Sequence, residues 1–238
     1  MSHIQTAEHA VVPRLALAEL SRIRLGTQPL QAVLEQVNDL AQRTIPGVSE
    51  VSMTMMHGGR PSTVAFSGSV ALHLDERQYE AGFGPCIAAA TSGRTIQLDL
   101  RTPDHVYRDF SEEARRAGVL HSISVALPVA SEVVGGLNLY RFDESPFTAA
   151  AVTTAETYAG SAGVAISNAH LYESTAELAA NLRRAMESRA VIEQAKGILM
   201  VREQCTSEEA FTMLATTSQN TNRKVRDLAE EIVAELGG

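Results

Sequence analysis

The sequence predicts an α+β protein: an antiparallel sheet with helices packed against it, then a long linking helix, then a small helical module. Three observations carry this. Between residues 29 and 172, β-rich runs and helical runs follow the order helix, two strands, short helices, three strands, long helix. From Thr148 to about Arg202 no proline interrupts the chain. Beyond Arg202, two short segments keep apolar residues at three-to-four spacing, the signature of helices that bury one face.

The elements follow in order. Leu17, Leu20, Leu30, Val33, Leu34, Val37, Leu40 and Ala41 fall at helical spacing, broken at Gly26 to Pro29, so a helical segment over residues 1–28 precedes a longer helix that ends at Pro46-Gly47. Val51, Met53 and Met55 alternate with Ser52, Thr54 and Met56 before the turn His57 to Pro61, and Thr63 to Phe66 resumes the extended pattern: a hairpin. Asp75 to Tyr79 suits a helix, and Gly82, Gly84 and Pro85 bend the chain into one or two further turns over Cys86 to Thr91. A short strand over Arg94 to Leu98, a helix over Tyr107 to Ala117, and strands over Ser122 to Val129 and Val133 to Phe142 complete the sheet. Thr148 caps the long helix.

Composition narrows the function. The 238 residues carry a net charge of −8, which excludes coating of nucleic acid by bulk electrostatics and confines any such binding to a local patch. Residues 1–180 hold 12 Arg and no Lys against 19 acids, whereas residues 181–238 hold 8 basic residues against 9 acids. No run approaches the roughly 18 apolar residues of a membrane span, and the N-terminus has no basic start followed by an apolar core, so a cytoplasmic protein without membrane contact is expected. Cys86 and Cys205 form neither a metal knuckle nor a disulfide framework. No nucleophile elbow, zinc-binding helix or phosphate loop is present, no metal site is expected, and the expectation is a protein that is not an enzyme. Cys86, following Pro85 at a helix start, has two readings: a buried small apolar residue, or a thiol of lowered pKa.

The first part resembles a GAF domain, in the version found in actinobacterial regulators, over residues 29–172. The matching residues are Gln78-Tyr79-Glu80-Ala81-Gly82-Phe83-Gly84-Pro85-Cys86, the strand Ser122 to Val129, and Val134-Gly135-Gly136-Leu137-Asn138-Leu139-Tyr140 leading to Phe147. The resemblance implies a sensory pocket, here expected from Met53, Met55, Phe66, Tyr79, Phe83, Cys86, Val125 and Leu139, that holds a small-molecule ligand or none. It names no cofactor.

Counted in sevens, Leu171, Leu178, Ala185, Ile192 and Leu199 share one column of the long helix, and Thr175, Leu182, Arg189 and Lys196 the neighbouring one. Two readings follow: a stalk that pairs two copies through Leu171, Leu178, Leu182, Ala185 and Ile192, or a single amphipathic helix packed on its own domain.

Residues 173–238 combine the stalk with a segment that resembles an ANTAR domain, an RNA-binding antiterminator module. The resemblance rests on Ser188-Arg189, Ile192 to Met200, Glu209-Ala210-Phe211 and Ser218 to Ala229. It implies an antitermination regulator that binds hairpin RNA, in tandem where two copies act together. Thr206 or Ser207 caps the second helix, read as Ser207 to Thr217; Ser218 to Asn222 forms the connection, and Lys224 to Leu236 the third helix. Arg189, Lys196, Arg202, Arg223, Lys224 and Arg226 supply phosphate contacts, and Ser218, Gln219 and Asn222 offer donors and acceptors for base edges. Phe211 is expected in the core, which leaves no ring for base stacking. Relatives commonly place Arg after the Leu of the second helix, where this chain has Ala215; Arg223 is the candidate to compensate. Gly197 in mid-helix costs roughly 1 kcal/mol against Ala, for which a close helix crossing is the preferred reason and close RNA approach the other. A DNA-binding transcription factor and a GAF scaffold that only dimerises remain as alternatives.

Overall fold

The computed structural model describes residues 18–23, 26–128 and 134–235 and divides between Glu173 and Ser174 into two compact units. Of the N-terminal helical segment, Ala18–Ser21 is helical; the remainder up to residue 17, with Val129, Val133 and Leu236 at predicted element ends, lies outside the described residues.

The first unit is built on a five-stranded sheet. In chain order its elements are α1 (Leu30–Thr44), β1 (Glu50–His57), β2 (Arg60–Phe66), α2 (Ser69–Ala81), α3 (Pro85–Ser92), β3 (Ile96–Asp99), α4 (Arg108–Arg116), β4 (His121–Leu127) and β5 (Val134–Arg141). The strand order is β2-β1-β5-β4-β3, and every neighbouring pair is antiparallel. The N-terminal part of α5 (Ala149–Arg202) closes the unit. Thr148 caps that helix: its Oγ1 accepts from the Ala151 amide at 3.1 Å, as the sequence indicates.

Both faces of the sheet are covered, so strand alternation sorts side chains into two layers. Val51, Met53, Met55, Ile123, Val125, Leu127, Leu137 and Leu139 face α1 and α5, where Val33, Leu34, Val37, Ala151, Ala155, Tyr158 and Ile166 complete the main core. Tyr158 reaches across this layer to donate to the Val37 carbonyl at 2.6 Å. The alternate positions Ser52, Thr54, Ser122, Ser124, Asn138 and Tyr140 are also buried, on the opposite face.

The second unit takes the C-terminal part of α5, then α6 (Ser207–Thr221) and α7 (Val225–Ala234). Its core is Ala195, Leu199, Ala210, Leu214, Leu228 and Ala229, with Val191, Ile192, Val225, Ile232 and Val233 packed against it. A capping box starts α6: Thr206 Oγ1 accepts from the Glu209 amide at 3.3 Å, and the Glu209 carboxylate accepts from the Thr206 amide at 2.7 Å. The expected connection over Ser218 to Asn222 is mostly helix instead. Thr217 and Thr221 satisfy their hydroxyls on carbonyls four residues back, and the turn is deferred to Asn222, which closes the helix in the left-handed conformation at φ 51°.

Candidate nucleic-acid interface and sensor face

In the second unit the predicted basic residues divide into paired and unpaired. Lys196 Nζ lies 3.0 Å from both Glu193 carboxylate oxygens, Arg202 pairs with Glu203 at 2.9 Å, Arg223 donates to Glu231 at 3.1 Å, and Arg226 donates to Glu230 at 2.7 Å. Arg223 and Arg226 are each held above the usual guanidinium pKa by a hydrogen bond to that glutamate. Among the described residues, Arg189 and Lys224 are exposed and make no ion pair. The Arg202, Arg223 and Arg226 pairs lie at the surface, where ion pairs contribute little and an incoming phosphate can displace them, whereas the Lys196 side chain is only 14% exposed.

The turn from α6 to α7 gathers the polar candidates. Ser218 Oγ donates to the Arg223 carbonyl, and the Arg223 amide donates to the Ser218 carbonyl at 3.2 Å, so Ser218 is spent on holding the turn rather than left open to a ligand. Gln219, Asn222 and Lys224 are exposed around it.

Two expectations for this unit change. Phe211 is 46% exposed and lies outside the core, because Ala210 and Leu214 already fill the buried stripe and the next residue after Ala210 points about 100° away. Gly197 has no atom within 4 Å of where a Cβ would stand, so no helix crosses there. It lines a shallow apolar groove with Ile198, Val201, Ile232 and Val233.

The stalk residues divide as well. Leu171 is exposed, Leu178 and Leu182 are 59% and 57% exposed, and Ala185 is exposed. Ile192 instead packs on the core of its own unit, one heptad before Leu199, which is part of that core.

In the first unit, the eight residues expected around one pocket fall in four places. Met53, Met55, Val125 and Leu139 belong to the core beneath α1 and α5. Tyr79 and Cys86 lie on the other face of the sheet, because odd and even strand positions point to opposite sides. Phe66 is 49% exposed at the end of β2. Phe83 is 54% exposed and stacks on Tyr107, ring centroids 5.3 Å apart, in a cleft of about 380 Å³ lined also by Arg77, Val106 and Phe110.

Where Tyr79 and Cys86 meet the sheet, polar side chains fill the space. Asp75 is buried; its carboxylate accepts from Thr63 Oγ1 at 2.9 Å, Asn138 Nδ2 at 3.0 Å and the Tyr140 hydroxyl at 3.0 Å. Tyr79 shares hydrogen bonds with Thr54 at 2.7 Å and Thr63 at 2.9 Å. The Cys86 thiol donates to Thr54 at 3.0 Å, and its amide donates to the Gln78 side chain at 2.8 Å. Gly136 makes room for this packing, since a Cβ there would stand 3.2 Å from the Cys86 sulfur. Burial raises the Asp75 carboxyl to about 6 against opposing hydrogen bonds, and no cation pairs with it among the described residues. Burial, then the nearby Asp75, pushes the Cys86 thiol up to about 12, which removes the low-pKa reading. Burial also lifts the Tyr79 and Tyr140 hydroxyls. In the sequence, the signal for this cluster was the Ser52, Thr54 and Asn138 series on strands that have no solvent face.

Among the described residues there is no group of three or more His, Cys, Asp or Glu side chains placed to hold a metal ion, and no helix long and apolar enough to cross a membrane.

A five-stranded antiparallel sheet with helices on both faces, followed along the chain by a three-helix module, defines a two-unit α+β protein. The GAF domain model matches residues 27–167, more than half of the chain, and the chain belongs to the GAF domain family. The ANTAR domain model matches residues 180–233, so the helical module is an ANTAR domain. No curated protein matches. Two solved structures show the same fold at low identity. The phycoerythrobilin-bound GAF domain of a cyanobacterial phytochrome is 14% identical at a TM-score of 0.54, covering 69% of this chain and 99% of that one. The GAF domain of a phosphoenolpyruvate-protein phosphotransferase from Coxiella burnetii is 15% identical at 0.52, covering 70% and 96%.

Proposed function

We propose that this chain is a cytoplasmic transcription antitermination regulator of the actinobacterial type. Its GAF domain, about residues 29–172, senses a signal, and its stalk and ANTAR domain, about residues 173–238, bind hairpin RNA. The observation that carries the reading is the ANTAR match over residues 180–233, in a unit whose polar turn presents Gln219, Asn222 and Lys224 to solvent. Arg189 and Lys224 are the first candidates for phosphate contacts; Lys196, Arg202, Arg223 and Arg226 join them by exchanging glutamate for phosphate.

The same reading makes the protein a homodimer. Leu178 and Leu182 leave apolar surface on α5 at heptad spacing, and a second copy is the partner whose stripe repeats it. Two paired ANTAR domains would then engage two hairpins in tandem.

The test is a titration of the full chain against hairpin RNA and a matched DNA duplex, run beside Leu178→Glu with Leu182→Glu in light scattering. Preference for the hairpin, and a fall in mass for the double variant, are expected. Preference for the duplex would replace the reading with a DNA-binding transcription factor. An unchanged mass would remove the stalk as the dimer interface.

A further inference from the structure

Phe211 is the one aromatic side chain after Tyr172, and it stands outside the core of its unit with nearly half its surface in water. Counted along α6, Ala215, Ser218 and Asn222 share its face, at four, seven and eleven residues on. Ala215 is too short to cover the ring. Ser218 fixes the turn through Arg223, Asn222 is exposed at the end of the helix, and Lys224 follows it, exposed and without an ion pair among the described residues.

This face therefore presents a ring, a small residue and an amide over about 16 Å at 1.5 Å per residue, and a cation follows two residues later in the turn. Glu208, three residues before Phe211, stands on the ring's N-terminal side, so a polyanion that reaches the ring is favoured on the side toward Asn222 and Lys224. A ring to stack a base, an amide to meet a base edge and a cation for phosphate match the needs of a short unpaired run of nucleotides, and not those of a paired stem.

We infer that Phe211 is a stacking platform for an unpaired base of the RNA. This rests on the reading of the unit as RNA-binding. Ala215, one turn further on, leaves that side of the ring open to the base.

The test uses the full chain, a hairpin RNA library with one fixed stem and a randomised loop, and the same stem as a blunt duplex. The wild type selects the tightest loops, and Phe211→Leu and Phe211→Tyr are titrated against them. Leucine keeps the apolar bulk and the helix but removes the ring. It is expected to weaken the selected hairpins roughly 5- to 150-fold, the range for loss of one base–aromatic stack, while Tyr stays within about twofold and duplex binding is unmoved. Equal binding of the selected hairpins by Phe211→Leu and wild type overturns the inference, as does an equal loss on hairpin and duplex, which marks a structural role. A wild type that enriches no hairpin at all overturns the RNA reading itself, and the inference with it.

Discussion

Asp75→Asn provides the sharpest test of the buried polar cluster. The carboxyl is buried between α2 and the sheet and is raised from an ordinary 3.8 to about 6, chiefly by desolvation, with no cation among the described residues to offset it. Because the folded state holds this proton more tightly than the unfolded chain does, the group's contribution to stability is fully present below about pH 3.8. It is lost as the pH rises through about 6. At 1.36 kcal/mol per pH unit the whole loss is about 3 kcal/mol, of which about 2 falls between pH 4.5 and pH 8. An amide at position 75 cannot ionise. Its carbonyl can accept from Asn138 and Tyr140, and its amide can donate to Thr63, which sits 2.9 Å from the carboxylate now. Urea unfolding of both proteins at pH 4.5 and pH 8, followed by tyrosine fluorescence, should show the stability difference moving by about 2 kcal/mol in favour of the variant at the higher pH. Other carboxylates titrate alike in the two proteins and cancel. Parallel pH profiles would refute the claim that this carboxyl is desolvated and unpaired.

Two further outcomes follow from the same geometry. Gly197→Ala fills open space on a helix, so it should raise the stability of the second unit by roughly 1 kcal/mol, read as a higher melting temperature by circular dichroism; a loss would mean that a partner approaches there. With a fully buried thiol, Cys86 should resist an aromatic disulfide reagent at pH 8, while half-buried Cys205 reacts; one thiol titrates in the native protein and two in denaturant.

The sheet was legible because its strands carry β-rich runs bounded by glycine and proline, and the long helix because a proline-free stretch follows a capping threonine. The pocket was not legible. Met53, Met55, Val125 and Leu139 look like pocket residues when a strand is imagined with one wet face, and the sequence does not say that α2 and α3 cover that face with Asp75, Tyr79 and Cys86. Alternating Ser52, Thr54 and Asn138 were the trace, since a solvent face seldom uses asparagine in mid-strand. Phe211 failed for a related reason. Spacing places it next to the buried stripe of Ala210 and Leu214, and only the packing of three helices decides whether that stripe is wide enough to include it.

The charge pattern of the second unit bears on what recognition can rest upon. Four of its six candidate cations already sit beside glutamates, and each glutamate remains near the phosphate that displaces it. Exchange of that kind gains little, so on the RNA-binding reading non-specific affinity is weak and, with few phosphates neutralised, falls only gently with salt. Discrimination must then come from groups that meet bases. Gln219, Asn222 and the Phe211 ring are exposed on or at the end of one helix, α6, which carries no cation; the cations are spread over α5, the α6–α7 turn and α7. A helix that carries base-facing groups beside a nearly neutral phosphate surface favours an unpaired loop over a stem, because only a loop presents both its base planes and its base edges.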